Sequence, residues 1–228
     1  MGARIIPLRE AYRVRERILE ALADVLALGG PDRVTSAAVA ARAGLDEALI
    51  RRTFGGLARL QTTFAQSEAF WPGVDELAGG DAYGLQGRSL GEVLSRFFRG
   101  YLRAMVARPW TLAVMAAEAR GERGLLVGAL AYVRERRALE FFEAALEGDP
   151  PPGLDLSAVI LLMATAINAV GIRSLHERSL GGIALDSAAG WRRLEDALDL
   201  LLMGALDGAL SCPQRPGGAT PGKNEKKC

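Results

Sequence analysis

The sequence predicts an all-α protein of about nine helices, and three observations support this prediction. Ala, Leu, Arg and Glu are abundant, and the alternation of β-branched and polar residues that marks strands is nearly absent. Apolar residues instead recur three and four positions apart, as on one face of a helix. Glycine pairs and prolines, which do not continue a helix, separate these periodic segments.

Start and stop signals justify each helix in turn. Thr35 and Asp46 are N-cap residues, Gly44 suits a left-handed helix end, and Ser89 with Glu92 forms a capping box. With these boundaries we expect helices over about 9–28, 35–43, 46–54, 57–78, 89–107, 109–120, 125–146, 154–179 and 187–210.

Charge is distributed unevenly along the chain. Residues 1–60 sum to +3, residues 61–210 to −5 and residues 211–228 to +3. A basic first segment on an acidic body suits a protein whose N-terminal part meets a polyanion. We therefore expect a nucleic-acid-binding domain over 1–56 and a separate helical body over 57–210. The last eighteen residues hold all three lysines and no apolar anchor, and we expect a disordered tail.

The residue inventory argues against several functions. The chain has one histidine, His176, and two cysteines, Cys212 and Cys228, without metal-ligand spacing. It has no Gly-rich phosphate loop and no nucleophile elbow, so we expect no enzyme, cofactor or metal. No secretory signal is expected, which favours the cytoplasm. The longest apolar run, 156–172, contains polar residues and is short for a membrane span, so we expect a buried helix.

A short helix, a turn over Ala43-Gly44-Leu45 and a second short helix form the arrangement of a helix-turn-helix DNA reader. The residues that face inward onto the first helix are Val39, Ala40, Leu45, Ile50 and Phe54. The residues that remain for contact with double-stranded DNA are Thr35, Glu47, Ala48, Leu49, Arg51, Arg52, Thr53 and Arg59. The arginines among them can reach phosphates that flank a major groove.

The segment RILEALADVLALGGPDRVTSAAVAARAGLDEALIRRTFGGLARL resembles the DNA-binding domain of the tetracycline-repressor (TetR) family. The stripe of the first helix, Gly30, Thr35, the turn over 40–45 and Phe54 fall in register without a gap. The resemblance covers about 45 residues by motif and the remaining chain only in length and helix number. It implies a ligand-responsive repressor that binds a pseudo-palindromic operator as a homodimer and takes a small lipophilic effector. By the same resemblance, 1–56 form the helix-turn-helix DNA-binding domain and 57–210 the helical ligand-binding and dimerisation domain.

The segment departs from the family pattern at three places. Asp46-Glu47-Ala48-Leu49 stands in place of Ser-Lys-Gly-Thr, Arg51-Arg52-Thr53 in place of Tyr-x-His, and Leu57 in place of a phosphate-binding Lys. Acids near phosphates and a missing Lys both weaken DNA binding. Asp46 either acts only as a helix cap or also lies near DNA phosphates. Glu47 either accepts a hydrogen bond from a cytosine N4 or is solvated. The alternative function is a helical ligand-binding or interaction protein of the same fold with weakened DNA binding.

The resemblance also implies that the last two helices pair with a second subunit. Two apolar stripes have the required spacing: Ala158, Leu162, Thr165, Ala169 and Ile172, and Trp191, Leu194, Leu198, Leu201 and Ala205. Either stripe fits a dimer contact or an intramolecular core. Because a reader of a pseudo-palindrome needs a two-fold partner, we favour the homodimer.

A ligand pocket is expected among the middle helices, lined by large apolar side chains and a few polar ones. The candidates are Trp71, Phe97, Tyr101, Met105, Trp110, Met115, Tyr132, Phe141 and Met163, with Glu118 and Asn168 as polar groups. Each apolar candidate is also an ordinary core residue. Glu118 without a compensating base favours a neutral or singly cationic effector, unless Arg120 pairs with it.

Overall fold

The computed structural model describes residues 8–147 and 154–211. Within these residues the ten α-helices are α1 (Leu8–Gly29), α2 (Ser36–Ala43), α3 (Glu47–Phe54), α4 (Leu57–Ala65), α5 (Val74–Ala78), α6 (Leu90–Val106), α7 (Pro109–Ala119), α8 (Leu125–Ala145), α9 (Leu156–Ser174) and α10 (Ala188–Ser211). The all-α prediction is confirmed. The predicted tail lies outside the described residues from position 212 onward.

Two helix boundaries differ from the prediction. The helix expected over 57–78 is divided into α4 and α5, because Pro72 lies in the connection and cannot continue an α-helix. The helix expected over 154–179 ends at Ser174. After it, β1 (Ser179–Leu180) and β2 (Ile183–Ala184) pair as a short antiparallel hairpin. The predicted break at Gly181-Gly182 is the hairpin turn, where both glycines have positive φ.

The connection between α4 and α5 is held by side chains from the start of α7. Each of three side chains donates to one of three consecutive backbone carbonyls: Arg108 to Glu68 (2.9 Å), Trp110 to Ala69 (2.8 Å) and Thr111 to Phe70 (2.5 Å). Arg108 also donates to both carboxylate oxygens of Glu76 on α5, at 2.7 and 2.6 Å. Carbonyl groups that the interrupted helix leaves free are therefore satisfied by tertiary contacts. We call residues 66–73 the α4–α5 connection.

One hydrophobic core extends through the described residues from α1 to α10. Ile18, Leu22 and Leu26 of α1 are fully buried, and α1 contacts α2 on one side and α7 on the other. The first helix therefore belongs to the helix-turn-helix and also joins it to the body. The domain boundary after residue 56 stays a prediction.

The expectation that α9 is buried is wrong for the single chain. Ile167 and Gly171 are its only buried residues, whereas Leu161 and Leu162 are 67% and 69% exposed. By length and composition, α9 is the one helix in the described part of the chain that could cross a membrane. Most of the apolar surface of α9 is thus left uncovered by the described residues of its own chain.

The two apolar stripes have opposite environments. On α9, Ala158, Leu162, Thr165 and Ala169 are exposed and Ile172 is half-buried. On α10, Leu198 is only 8% exposed and belongs to the core of its own chain, while Trp191 and Leu194 are half-buried. Leu201 is exposed together with Leu200 and Met203. The α9 stripe is therefore available to a partner, and the α10 stripe mostly is not.

Candidate nucleic-acid interface and ligand cleft

Local signals build the turn between α2 and α3. Thr35 caps α2 and Asp46 caps α3, each by accepting a hydrogen bond from a backbone N–H of the first turn, at 3.1 and 2.7 Å. Between them, Gly44 ends α2 in the left-handed region at φ 62°. A Cβ at this position would also lie 2.9 Å from a guanidinium nitrogen of Arg17. These contacts fix the direction in which α3 leaves the turn.

Helix α3 has a buried face and an exposed face. We call α1 to α3 the N-terminal unit. Ile50 and Phe54 are buried in its part of the hydrophobic core. Among the predicted DNA-contacting residues, Thr35, Glu47, Ala48, Arg51, Arg52 and Arg59 are exposed, and Leu49 and Thr53 are half-buried. The structure therefore places the predicted residues on the solvent side of α2, α3 and the start of α4.

The arginines near this surface fall into two groups. Arg42 is paired with Asp24 at 2.7 Å, and the Arg15 guanidinium lies 4.6 Å from the centre of the Phe54 ring. Arg51, Arg52 and Arg59, in contrast, make no ion pair with any carboxylate among the residues that the structure describes. The second group is free to bind anions from solution.

Sequence reasoning missed the part that α1 takes in this surface. Arg15 packs on the last residue of α3, and Arg17 lies beside the turn that precedes it. The only available signal was the run of arginines ahead of the apolar stripe of α1. That signal does not distinguish a contact with α3 from a solvated helix face.

A cleft of about 590 Å³ is lined by residues of α5, α6, α8 and α9 and by Trp71 of the α4–α5 connection. Of the predicted pocket residues, Trp71, Phe97 and Tyr101 line this cleft. Met105, Met115 and Phe141 belong to the hydrophobic core. Phe141 packs against Phe97, with 4.8 Å between the ring centres. Met163 is half-buried on α9, Trp110 binds Ala69, and Tyr132 is 67% exposed.

The polar groups of the cleft are paired differently from the sequence expectation. Glu118 accepts two hydrogen bonds from Arg134 of α8, at 2.9 and 3.1 Å. The expectation that Glu118 has no compensating base is therefore wrong. The alternative partner, Arg120, binds Glu122 instead at 2.6 Å. Arg134 lines the cleft and Glu118 does not.

A buried hydrogen bond lies at the inner end of this cleft. Tyr101 donates its phenol to Asn168 Oδ1 at 2.5 Å, and burial raises the pKa of Tyr101. The phenol therefore stays protonated at physiological pH. Because the Tyr101 hydroxyl already donates its proton to Asn168, it can act toward a ligand only as a hydrogen-bond acceptor.

The opposite face of α6 is joined to α10 by ion pairs. Glu195, only 5% exposed, binds Arg103 at 2.6 Å and Arg99 at 3.2 Å, and Arg99 also binds Asp199. The hydrogen bond from Arg103 is the largest of the influences that hold the pKa of Glu195 below its usual value. These pairs attach the last helix to the body through residues far apart in sequence.

A helix-turn-helix with capped helices, followed by a helical body with a cleft, defines the structural class of this chain. No protein-family model and no curated protein matches the sequence. A tetR-family transcriptional regulator from Streptomyces coelicolor is similar over 92% of this chain and 84% of its own, with a TM-score of 0.59 and 19% identity. A TetR-like transcriptional regulator from Rhodococcus sp. RHA1 is similar over 89% and 99%, with a TM-score of 0.54 and 20% identity. The chain therefore has the fold of TetR-family regulators.

Neither a metal site nor a histidine-based site is found in the described residues. No group of three or more His, Cys, Asp or Glu side chains there could hold a metal ion. His176 is exposed just after α9. The candidate sites are the cleft in the body and the outer face of α3 in the N-terminal unit.

Proposed function

We propose that the protein is a ligand-responsive transcriptional repressor of the cytoplasm that binds a pseudo-palindromic operator as a homodimer. The observation that carries this proposal is the exposed face of α3, which presents Arg51 and Arg52 without a carboxylate partner among the described residues. The Asp46 cap and the Gly44 turn hold this helix at a fixed angle to α2. A helix presented in this way fits the width of a major groove.

The residues of this face have different roles in the proposal. Arg51, Arg52 and Arg59 bind phosphates and supply salt-dependent affinity. Thr35, at the exposed start of α2, adds a phosphate contact. Glu47 and Leu49 point at base edges, where a carboxylate accepts from cytosine N4 and an aliphatic group contacts a thymine methyl.

The exposed apolar residues of α9 and α10 support a homodimer. Leu161 and Leu162 on α9, and Leu200 and Leu201 on α10, are each more than 60% exposed in the single chain. A second copy offers the same apolar surface, so a two-fold contact buries both at once. Such a dimer presents two α3 helices, which is what two operator half-sites require.

The cleft supports the ligand-responsive part of the proposal. Its volume of about 590 Å³ and its aromatic lining suit a small lipophilic effector. Trp71 lines the cleft and lies in the α4–α5 connection, which follows the helix that leaves the DNA-binding unit. An effector that prefers one position of this connection shifts DNA affinity by the same factor as DNA shifts effector affinity.

A second function is favoured by one observation, the acid at the start of α3. Glu47 is exposed there without a basic partner among the described residues. Leu57 begins α4 after Gly56, which provides no side-chain cap. A protein that keeps the fold and the cleft but binds DNA weakly would show these features.

An electrophoretic mobility assay with the upstream region of its own gene tests the proposal. At low salt we expect a retarded complex that resists unrelated competitor DNA and weakens as salt rises. Arg51→Ala combined with Arg52→Ala should weaken this complex about tenfold. Absence of any specific complex at low salt would favour the ligand-binding alternative.

A further inference from the structure

We propose that the cleft binds an amphiphile with one acidic group, and that Arg134 binds this group. The inference rests on the proposed effector site and names the chemical class of its ligand. It reverses the charge that the sequence suggested, because the cleft wall carries the arginine of the Arg134–Glu118 pair and not the carboxylate.

Arg134 is held in place from outside the cleft. Its guanidinium has five N–H donors, and the two that bind Glu118 lie on different terminal nitrogens. The other donors have no protein partner among the residues that the structure describes. The side chain is 36% exposed and lines the cleft. A guanidinium braced by a carboxylate keeps its orientation, so little entropy is lost when it binds an anion.

Arg134 stays charged in this environment. Burial acts to lower its pKa, but the hydrogen bonds and the negative charge of Glu118 outweigh burial and hold the pKa above its usual value. Among the described residues, Arg134 is also the only cationic side chain that lines the cleft. A buried acid on a ligand needs such a partner, because an unpaired charge in an apolar site is strongly unfavourable.

The one carboxylate on the cleft wall does not reverse this preference. Glu135 follows Arg134 on α8 and is exposed to solvent, so water and salt screen its charge. Apart from Ser157 and the Tyr101 phenol, the other described lining residues are apolar. They include Trp71, Phe97 and Phe142, and Ile160 and Leu161 of α9. An alkyl or aromatic body fits between these walls while its acidic end meets Arg134.

Calorimetric titration of the full chain without DNA tests the ligand class. The probes are decanoate, decanol and decylamine at neutral pH, which share one alkyl chain and differ only in the charge of the head group. We expect decanoate to bind about tenfold more tightly than decanol, because a charge-assisted hydrogen bond is added, and decylamine to bind most weakly. Tighter binding of the amine, equal binding of acid and alcohol, or no saturable binding of decanoate would overturn the proposal.

Variants locate the preference. Arg134→Gln should bring decanoate to the affinity of decanol or below it. The paired change Glu118→Gln with Arg134→Gln leaves no buried charge and should have the same effect if the single variant folds poorly. Arg136→Gln is the matched control, since Arg136 lies on α8, pairs with Glu140 and does not line the cleft. An acid preference that survives in both Arg134 variants would overturn the proposal.

This experiment is independent of the proposed DNA binding. Failure of the mobility assay together with an acid preference would overturn the repressor function and support the ligand class. The reverse result, a specific DNA complex without acid preference, would overturn only the ligand class.

Discussion

The N-terminal unit, α1 to α3, and the helices α8 to α10 of the body use apolar residues in different ways. Among the described residues of α1 to α3, Tyr12 and Leu28 are the only large apolar side chains that are strongly exposed. Helices α8 to α10 expose many, including Leu139, Leu161 and Leu201. The N-terminal unit is complete within one chain and offers a polar surface. The body leaves apolar side chains of α8 to α10 exposed in the single chain, and under the proposed function a second copy and a ligand would cover them.

The contacts that fix the two regions also differ in range. The N-terminal unit is shaped by caps and a glycine turn between residues close in sequence. The body is held by pairs such as Arg103 with Glu195 and Trp110 with Ala69, which join distant segments. Substitutions should therefore act locally in the first region and across several helices in the second.

Leu198→Arg should have the largest effect, a loss of about 4 kcal/mol in the free energy of unfolding, because it places a charge in a packed core. Leu198 is 8% exposed and Leu162 is 69% exposed. The matched variant Leu162→Arg should fold normally and sediment as a monomer. Denaturant unfolding and sedimentation velocity separate the two results. Equal destabilisation by both changes would show that the single-chain core extends over α9.

Glu195→Gln should lower stability at neutral pH by about 2 kcal/mol, since Arg99 and Arg103 lose their buried partner but still reach solvent. The lowered pKa of Glu195 means that its contribution is complete above the ordinary value of 4.5 and is lost as pH falls through the lower folded value. The variant should thus lose less stability on acidification than the wild type. Thermal unfolding across the acid range measures this difference. Asp196→Asn, an exposed change on the same helix, should leave the pH profile unchanged.

Arg51→Ala with Arg52→Ala tests the polar surface of the N-terminal unit. We expect about a tenfold loss of DNA affinity for all sequences and a salt slope that falls by up to about two. Thermal stability should stay unchanged because both side chains are exposed. Arg136→Ala with Arg137→Ala removes the same charge from α8 and should leave the salt slope intact. A salt slope that falls equally in both variants would mean that net charge, and not α3, controls binding.

The smallest effect is expected from Asp46→Asn. Asn caps helices about as well as Asp, so stability should change by less than about 0.5 kcal/mol. Removal of one negative charge beside the DNA should raise DNA affinity about threefold. Asp46→Ala, which also loses the helix cap, should lower the free energy of unfolding by about 1 kcal/mol. Fluorescence anisotropy with labelled operator DNA would measure the gain, and an unchanged affinity would place Asp46 away from the phosphates.

Local features of the fold could be predicted from sequence, and tertiary ones could not. The caps at Thr35 and Asp46, the Gly44 turn and the Ser89–Glu92 capping box are observed, because each depends on residues within one turn. Pro72 and Gly73 mark the division of the 57–78 helix in the sequence, but the prediction continued the helix through them. The sequence alone does not show that side chains of α7, about forty residues away, satisfy carbonyl groups of the connection.

The candidate cleft was predictable only in part. The aromatic pattern predicted Trp71, Phe97 and Tyr101 as lining residues of the cleft. The same pattern also fits core residues, and Phe141 lies in the core. The partner of Glu118 is on a neighbouring helix, and Arg134 looks like any other arginine of a charged segment. Likewise, the stripes of α9 and α10 have similar helical spacing but different exposure, since spacing does not encode which neighbour covers a face.

The α4–α5 connection, although it is not an α-helix, should be one of the slower-exchanging and less easily cleaved parts of the chain. The backbone N–H groups of Phe70 and Trp71 both donate to the carbonyl oxygen of Ser67, at 3.0 and 3.2 Å. Side chains at the start of α7 donate to the carbonyl groups of the next three residues. Proteases need an extended and mobile substrate, which a segment fixed on both sides of its backbone does not provide. Within the described residues, limited digestion should therefore cut first in the exposed stretch 79–81 or at 86–89. Absence of helix and ease of opening are separate properties in this protein.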